Sequence, residues 1–226
     1  MDKKAILIGA SGSVGSSLLL QLLACKHYSS VLALVRKELR MHHPKLKQVI
    51  VDFDRINDYH AEIKGDVVFS CLGTTKGQTP DQEQYRKIDY QYPLDVGSIA
   101  QVNGARSFHL ISSIGADKNS KVFYTRTKGE VERDLKAIPF QNIHIYRPSL
   151  LDGTRPQKRL VEGVFNAVMT LVNPVLIGGL RKYRSIKVET VARAMIRESL
   201  DDKRGIFIHE SDQIERLGSM EEAPFK

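Results

Sequence analysis

The sequence predicts an α/β protein: a doubly wound parallel sheet with a small helical extension at its C-terminal end. Three observations carry that expectation. Short apolar runs alternate with longer helix-like segments through the first 150 residues. The runs are rich in β-branched residues and apolar on both faces, as strands covered by helices on both sides must be. A glycine-rich turn, "GASGSVG", joins the first run to the first helix, where an open α/β sheet binds its ligand.

In chain order, "KAILIG" reads as the first strand and "SVGSSLLLQLLACKH" as a helix with a leucine-rich face. "VLALVR", "QVIVDF" and "DVVFSCLG" are further strands. "PDQEQYRKIDYQYPLDVGSIAQVNG" reads as a long helix that Pro93 kinks or breaks, because proline lacks the N–H and crowds the preceding turn. "SFHLISS" and "NIHIYRPSLL" are strands separated by the helical segment "FYTRTKGEVERDL". Beyond Pro148 the pattern loosens into the basic, turn-rich "SLLDGTRPQKR", then helices around Val161–Val172 and Glu189–Leu200. "GSMEEAPFK" reads as a frayed tail. With 226 residues and no separating linker, the chain is expected to be one domain: a dinucleotide-binding core over 1–150, and a region over 151–226 for substrate or a subunit contact.

Composition narrows the function classes. Hydrophobic residues make up 42% and charged ones 27%, as in ordinary globular proteins. Cys25 and Cys71 lie far apart in apolar stretches, which points to a reducing compartment and away from a disulfide framework or a zinc site; no metal is expected. The seven histidines are scattered, and His42-His43 has no partner at metal-ligand spacing. The apolar run after "MDKK" stops at Gly9, too short for a signal peptide, so a cytoplasmic protein is expected. Glu162, Asn166, Asn173 and Pro174 make Leu160–Leu180 a poor spanning helix; a core helix or homodimer face is the expectation. The formal charge of +8 brings no nucleic-acid motif and no aromatic interleaving, so small anionic ligands are expected rather than nucleic acid.

Gly9, Gly12 and Gly15 follow the first strand and open the first helix. Their spacing is GxxGxxG rather than GxGxxG, but it meets the same need: a tight turn, close backbone approach to a pyrophosphate, and a helix N-terminus facing the anion. Ser11, Ser13 and Val14 complete the loop, the serines with hydroxyl donors. The second strand ends in Arg36 and Lys37, where a guanidinium favours the extra phosphate of NADP(H) over NAD(H). Asp52 is placed to reach the adenine edge, and Leu72-Gly73 to leave room beside the nicotinamide-side ribose.

Tyr124 and Lys128 stand four apart on a helix, hence on one face. In a dinucleotide site that pair has a task. Hydride delivery to a carbonyl needs a proton for the developing alkoxide, and a nearby ammonium favours the phenolate of tyrosine, which otherwise titrates near 10. The same lysine can bond the ribose. Ser112 and Ser113, just past a strand end, are both candidates to hold the carbonyl oxygen.

In this order, "GASGSVG", "VDFDRINDY", "CLGTTKG", "SSIGADKNSKVFYTRTKGEVE" and "YRP" resemble the short-chain dehydrogenase/reductase superfamily, closest to its atypical Tat-interacting-protein-like oxidoreductase group. The resemblance runs from about Lys4 to Leu200. It implies a Rossmann fold, NADP(H), a Ser-Tyr-Lys site with Ser113 as the serine, adenosine-phosphate binding by Arg36 and Lys37, and Arg155 near the cofactor's far end. Asp89 stands near the place where many members carry an asparagine that orients the lysine or a relay water. The expectation is an NADPH-dependent reductase of a small carbonyl compound with residues 148–185 as its substrate wall. A cofactor-binding regulator without turnover and an epimerase or dehydratase are the alternatives.

Overall fold

The computed structural model describes residues 2–152 and 184–220. Arg155, the helix expected around Val161–Val172 and the end of the tail lie outside the described residues. The strands are β1 (Lys3–Ile8), β2 (Tyr28–Val35), β3 (Leu46–Ile50), β4 (Val67–Ser70), β5 (Ser107–Ile111), β6 (Asn142–Arg147), the short pair β7 (Leu151–Asp152) and β8 (Ile186–Lys187), and β9 (Gly205–Glu210). Seven of them form one sheet in the order β3-β2-β1-β4-β5-β6-β9, every pairing parallel. The order reverses between β1 and β4, which opens a crevice at their carboxyl ends.

Alternation along the strands divides the core into two layers. Ala5 and Leu7 of β1 face the side covered by α1 (Ser13–Ala24), through Leu18 and Leu22. Ile6 and Ile8 face the opposite layer with Val68, Phe108 and Ile145. That layer is covered by α3 (Tyr92–Val102) and α4 (Phe123–Leu135), through Val96, Val131 and Leu135. α5 (Val188–Ser199) joins the α1 side with Val191 and Met195, and α6 (Ser211–Ser219) packs Ile214 there. Both-face burial holds for β1, β2, β4 and β5. It fails for the edge strands β3 and β9, where several residues are half-buried or exposed.

The predicted long helix is divided as Pro93 requires. α2 (Gln82–Arg86) gives way to a π-helical turn over Lys87–Gln91 before α3 begins with Pro93 in its first turn. Tyr92 N–H reaches back to the carbonyl of Lys87, one residue further than in an α-helix. Proline at 93 cannot donate to the carbonyl of Asp89, so the widened turn falls on that residue. β9 and α6 are additions that the sequence reading did not contain.

α4 lies close to the preceding turn because Gly129 has no side chain: a Cβ there would stand 2.1 Å from the backbone nitrogen of Lys118. Gly129→Ala is therefore expected to cost about 1–3 kcal/mol through displaced backbone, a fall in Tm of roughly 3–10 °C for a chain of this size. Scanning calorimetry measures it; an unchanged Tm would mean that the turn yields without cost.

Candidate active site

The glycine turn is fixed by contacts that no side chain could share. Gly9 has φ +82°, and a Cβ on it would lie 2.5 Å from the carbonyl of Cys71 at the end of β4. A Cβ on Gly15 would lie 2.1 Å from the oxygen of Gly9. The turn is closed by Gly12 N–H donating to Gly9 at 3.0 Å. α1 then starts with Gly12 as its N-cap and no side-chain cap. Such a helix start presents backbone N–H groups and the positive end of the dipole to an anion.

Beside this turn lies a cavity of about 610 Å³. Gly12, Ser13, Val14, Leu72, Gly73, Ser112, Tyr124 and Lys128, all expected at the site, line it together. Gly9 and Gly15 are not among the lining residues but hold the turn in shape by the contacts above, and Ser11 is exposed on the turn. Arg36 and Lys37 lie outside the cavity, exposed just past β2, with no ion pair or hydrogen bond among the described residues. Asp52 is also exposed and accepts a bond from Asp54 N–H at 3.0 Å, so it caps the following 3-10 helix with one carboxylate oxygen.

Lys128 is the electrostatic centre of the cavity. Its ammonium is 2.8 Å from Asp89 Oδ1, with both side chains almost wholly buried. Asp89 Oδ2 in turn accepts from Thr74 N–H at 2.8 Å. Burial works against the ammonium, but the Asp89 carboxylate outweighs it and holds the lysine above its ordinary pKa. Tyr124, one turn earlier on α4, is 40% exposed, and its hydroxyl has no partner among the described residues. A second phenol faces the same space. Tyr85, which sequence reasoning did not single out, donates to the carbonyl of Thr74 at 3.0 Å and is pushed above its ordinary pKa by burial, so its proton is committed. Burial also drives the thiol of Cys71 up to about 12, which leaves it inert.

The two serines differ. Ser112 Oγ donates to Glu132 Oε1 at 2.5 Å, and Glu132 also receives two bonds from Arg147, at 3.0 and 2.6 Å. Ser113 is not among the lining residues, yet its Oγ is buried without a hydrogen-bond partner among the described residues. A buried hydroxyl without a partner is costly unless something else occupies the position. Arg155 lies outside the described residues.

With this geometry in place, comparison with known proteins gives a consistent picture. The chain belongs to the NAD(P)H-binding family, which it matches over residues 9–164. It is 29% identical to protein HTATIP2 of Rattus norvegicus, over 99% of this chain and 92% of that one. It is 38% identical to the mitochondrial protein FMP52 of Meyerozyma guilliermondii, over 67% of this chain and 66% of that one. Among solved structures, a UDP-N-acetylglucosamine 4-epimerase from Methanobrevibacter ruminantium aligns with a TM-score of 0.67 at 18% identity, covering 92% of this chain and 76% of that one. MoeE5 in complex with UDP-glucose and NAD aligns at 0.68 and 15% identity, covering 96% and 81%. The fold is thus that of the NAD(P)-binding Rossmann proteins.

The ion pair makes a prediction with a defined sign. Because the folded-state pKa of Lys128 is raised, its contribution is fully present below the ordinary lysine value and lost as pH rises through the folded one. Asp89→Asn leaves a buried ammonium without its counter-charge, a change that costs about 3–5 kcal/mol when the charge is retained. In chemical denaturation the deficit should be full while Lys128 is charged in both folded proteins, and should narrow as pH rises through its folded-state pKa, which burial lowers in the variant and Asp89 raises in the native chain. A pH-independent deficit would mean that packing, not charge, is lost.

Proposed function

We propose that the protein is an NADPH-dependent reductase of a small carbonyl compound. The observation that carries this reading is the convergence of the glycine turn, Lys128 and a partly exposed Tyr124 with an unpartnered hydroxyl on one cavity. In this reading the cofactor's pyrophosphate lies on the N-terminus of α1, and Arg36 and Lys37 meet the adenosine phosphate. Asp52 reaches towards the adenine edge, and Leu72-Gly73 flank the nicotinamide-side ribose. The bound cofactor supplies hydride. Tyr124 gives its proton to the developing alkoxide, and the ammonium of Lys128 stabilises the phenolate left behind. Ser113 holds the carbonyl oxygen; the commitment of Ser112 to Glu132 favours this choice between the two. Residues 148–185, with Arg155, would wall the substrate and the cofactor's far end, in a single domain with its cofactor core over 1–150.

A second reading, cofactor binding without turnover, is favoured by one observation: Lys128 is already engaged by Asp89 instead of being open to a ribose. Epimerases among the structural neighbours bear on the fold alone. Among the described residues no helix is long and apolar enough to cross a membrane. Free Cys25 and Cys71 suit a reducing compartment, proposed to be the cytoplasm; the names of the fungal relatives make the mitochondrion the alternative.

Fluorescence titration with NADPH and NADH, on the native protein and on Arg36→Ala, tests the cofactor assignment. NADPH affinity is expected to fall about 10-fold or more in the variant with NADH unaffected, the loss of one charge-assisted contact. Equal affinity for both nucleotides, unchanged in the variant, would remove the NADPH assignment. Tyr124→Phe should keep NADPH binding and lower carbonyl reduction by at least roughly 100-fold. Retained turnover would sink the mechanism, and absence of turnover in the native protein across a carbonyl panel would favour the second reading.

A further inference from the structure

Apart from the residues that line the cavity, the α1 side of the sheet carries a layer of aromatic side chains. His109 on β5, His144 and Tyr146 on β6, and Phe207 and His209 on β9 stack at centroid separations of 4.6 to 6.4 Å. Parallel register explains the stack. His109 stands opposite His144, His144 opposite Phe207, and Tyr146 opposite His209, so period-two alternation turns all five to one face. Ser107 and Tyr146 complete the bonding of His109, at 2.8 and 3.0 Å. The other two histidines are arranged differently. His144 Nδ1 and His209 Nε2 are 3.0 Å apart and turned towards each other. Glu198, near the end of α5, brings its Oε2 to 3.7 Å from the first and 3.8 Å from the second.

These three atoms make a nearly regular triangle. A point equidistant from them lies about 2 Å from each, the length of a zinc–imidazole or zinc–carboxylate bond. The Glu198 carboxylate accepts no hydrogen bond among the described residues; Lys203 and Arg197 act on it only through space. Nor does ligation disturb the far side of His144, whose Nε2 is buried without a partner whichever ring nitrogen carries the proton. The site is also reachable. His144 is 2% exposed, whereas the side chains of His209 and Glu198 are 11% and 19% exposed, which leaves an opening for an ion and for a water as its fourth ligand.

From this geometry we infer that His144, His209 and Glu198 form a binding site for a Zn2+-class divalent cation. Two neutral imidazoles and one carboxylate are a borderline donor set that selects zinc over magnesium or calcium, which prefer all-oxygen shells. The ion would tie β6, β9 and the C-terminal end of α5 together. β9 is an edge strand, paired among the described residues with β6 alone, so its docking gains from such a tie. None of the three ligands lines the cofactor cavity, and the role is structural.

The test uses the full chain, stripped with a chelator and then titrated with Zn2+ alone. Calorimetry is expected to give one site per chain, with a Tm rise of roughly 5 °C at saturation, because the ion binds the folded state and not the unfolded one. Co2+ in its place should give the visible absorption of a four-coordinate N/O site. His209→Gln and the more exposed Glu198→Gln should each weaken uptake about 10-fold or more and abolish the Tm rise. NADPH titration of the stripped protein should match that of the loaded protein. If His209→Gln does not fold, Glu198→Gln decides alone. No uptake by the native chain, or uptake and a Tm rise unchanged in Glu198→Gln, would overturn the assignment, the latter placing the ion on other side chains.

Discussion

A lysine ammonium buried to 4% exposure must have an anion beside it, and most of the architecture around the cavity follows from where that anion stands. Asp89 is buried to 2% and sits on the π-helical turn, whose extra width coincides with the carbonyl that Pro93 cannot reach. The loop after β4 is drawn in through Thr74 N–H, and Gly73 keeps the space above the pair open: a Cβ there would already touch both Asp89 Oδ1 and Lys128 Nζ at 3.7 Å. α4, the π turn and the β4 loop therefore meet at one buried charge pair, with Tyr90 donating to Asp134 as a second tie between the π turn and α4. Loss of either partner would strand the other in a low-dielectric environment.

How far the sequence discloses this depends on how local each cause is. The glycine turn is legible because its three glycines fall within seven residues, although the contact that requires glycine at position 9 comes from Cys71, far along the chain. The break at Pro93 is legible because its cause is covalent. The parallel sheet is legible from the strand runs that are buried on both faces, and least so where a strand lies at an edge. β9 escapes for that reason: "GIFIHE" is half-exposed and lacks the continuous apolar character of β1 or β4.

The side-chain constellations divide in the same way. Tyr124 and Lys128 announce themselves through helical spacing, and Ser112 and Ser113 through their place after a strand. The difference between the two serines rests on Glu132 and Arg147, which come from another helix and another strand, so no spacing in the chain encodes it. Tyr85 is set apart from Tyr124 by a bond to the backbone of Thr74 and by burial, neither of which spacing reveals. The histidine triangle is the extreme case. His144, Glu198 and His209 belong to three elements, and only the register of β6 with β9 brings the two rings together.

In the proposed reading, chemistry and nucleotide preference fall under different physical control. Arg36 and Lys37 are exposed and make no hydrogen bond or ion pair among the described residues, so exchanging them alters an electrostatic surface and little else. Lys128 admits no such freedom, because its charge supports the packing of three elements as well as any reaction at the cavity. Glu132 extends that coupling. It lies one turn beyond Lys128 on α4 and receives bonds from Ser112 and Arg147, so the serine turn and the end of β6 take their positions from the helix that carries the tyrosine. A change at Arg36 or Lys37 therefore costs little stability, whereas any change around the cavity must keep a buried cation paired.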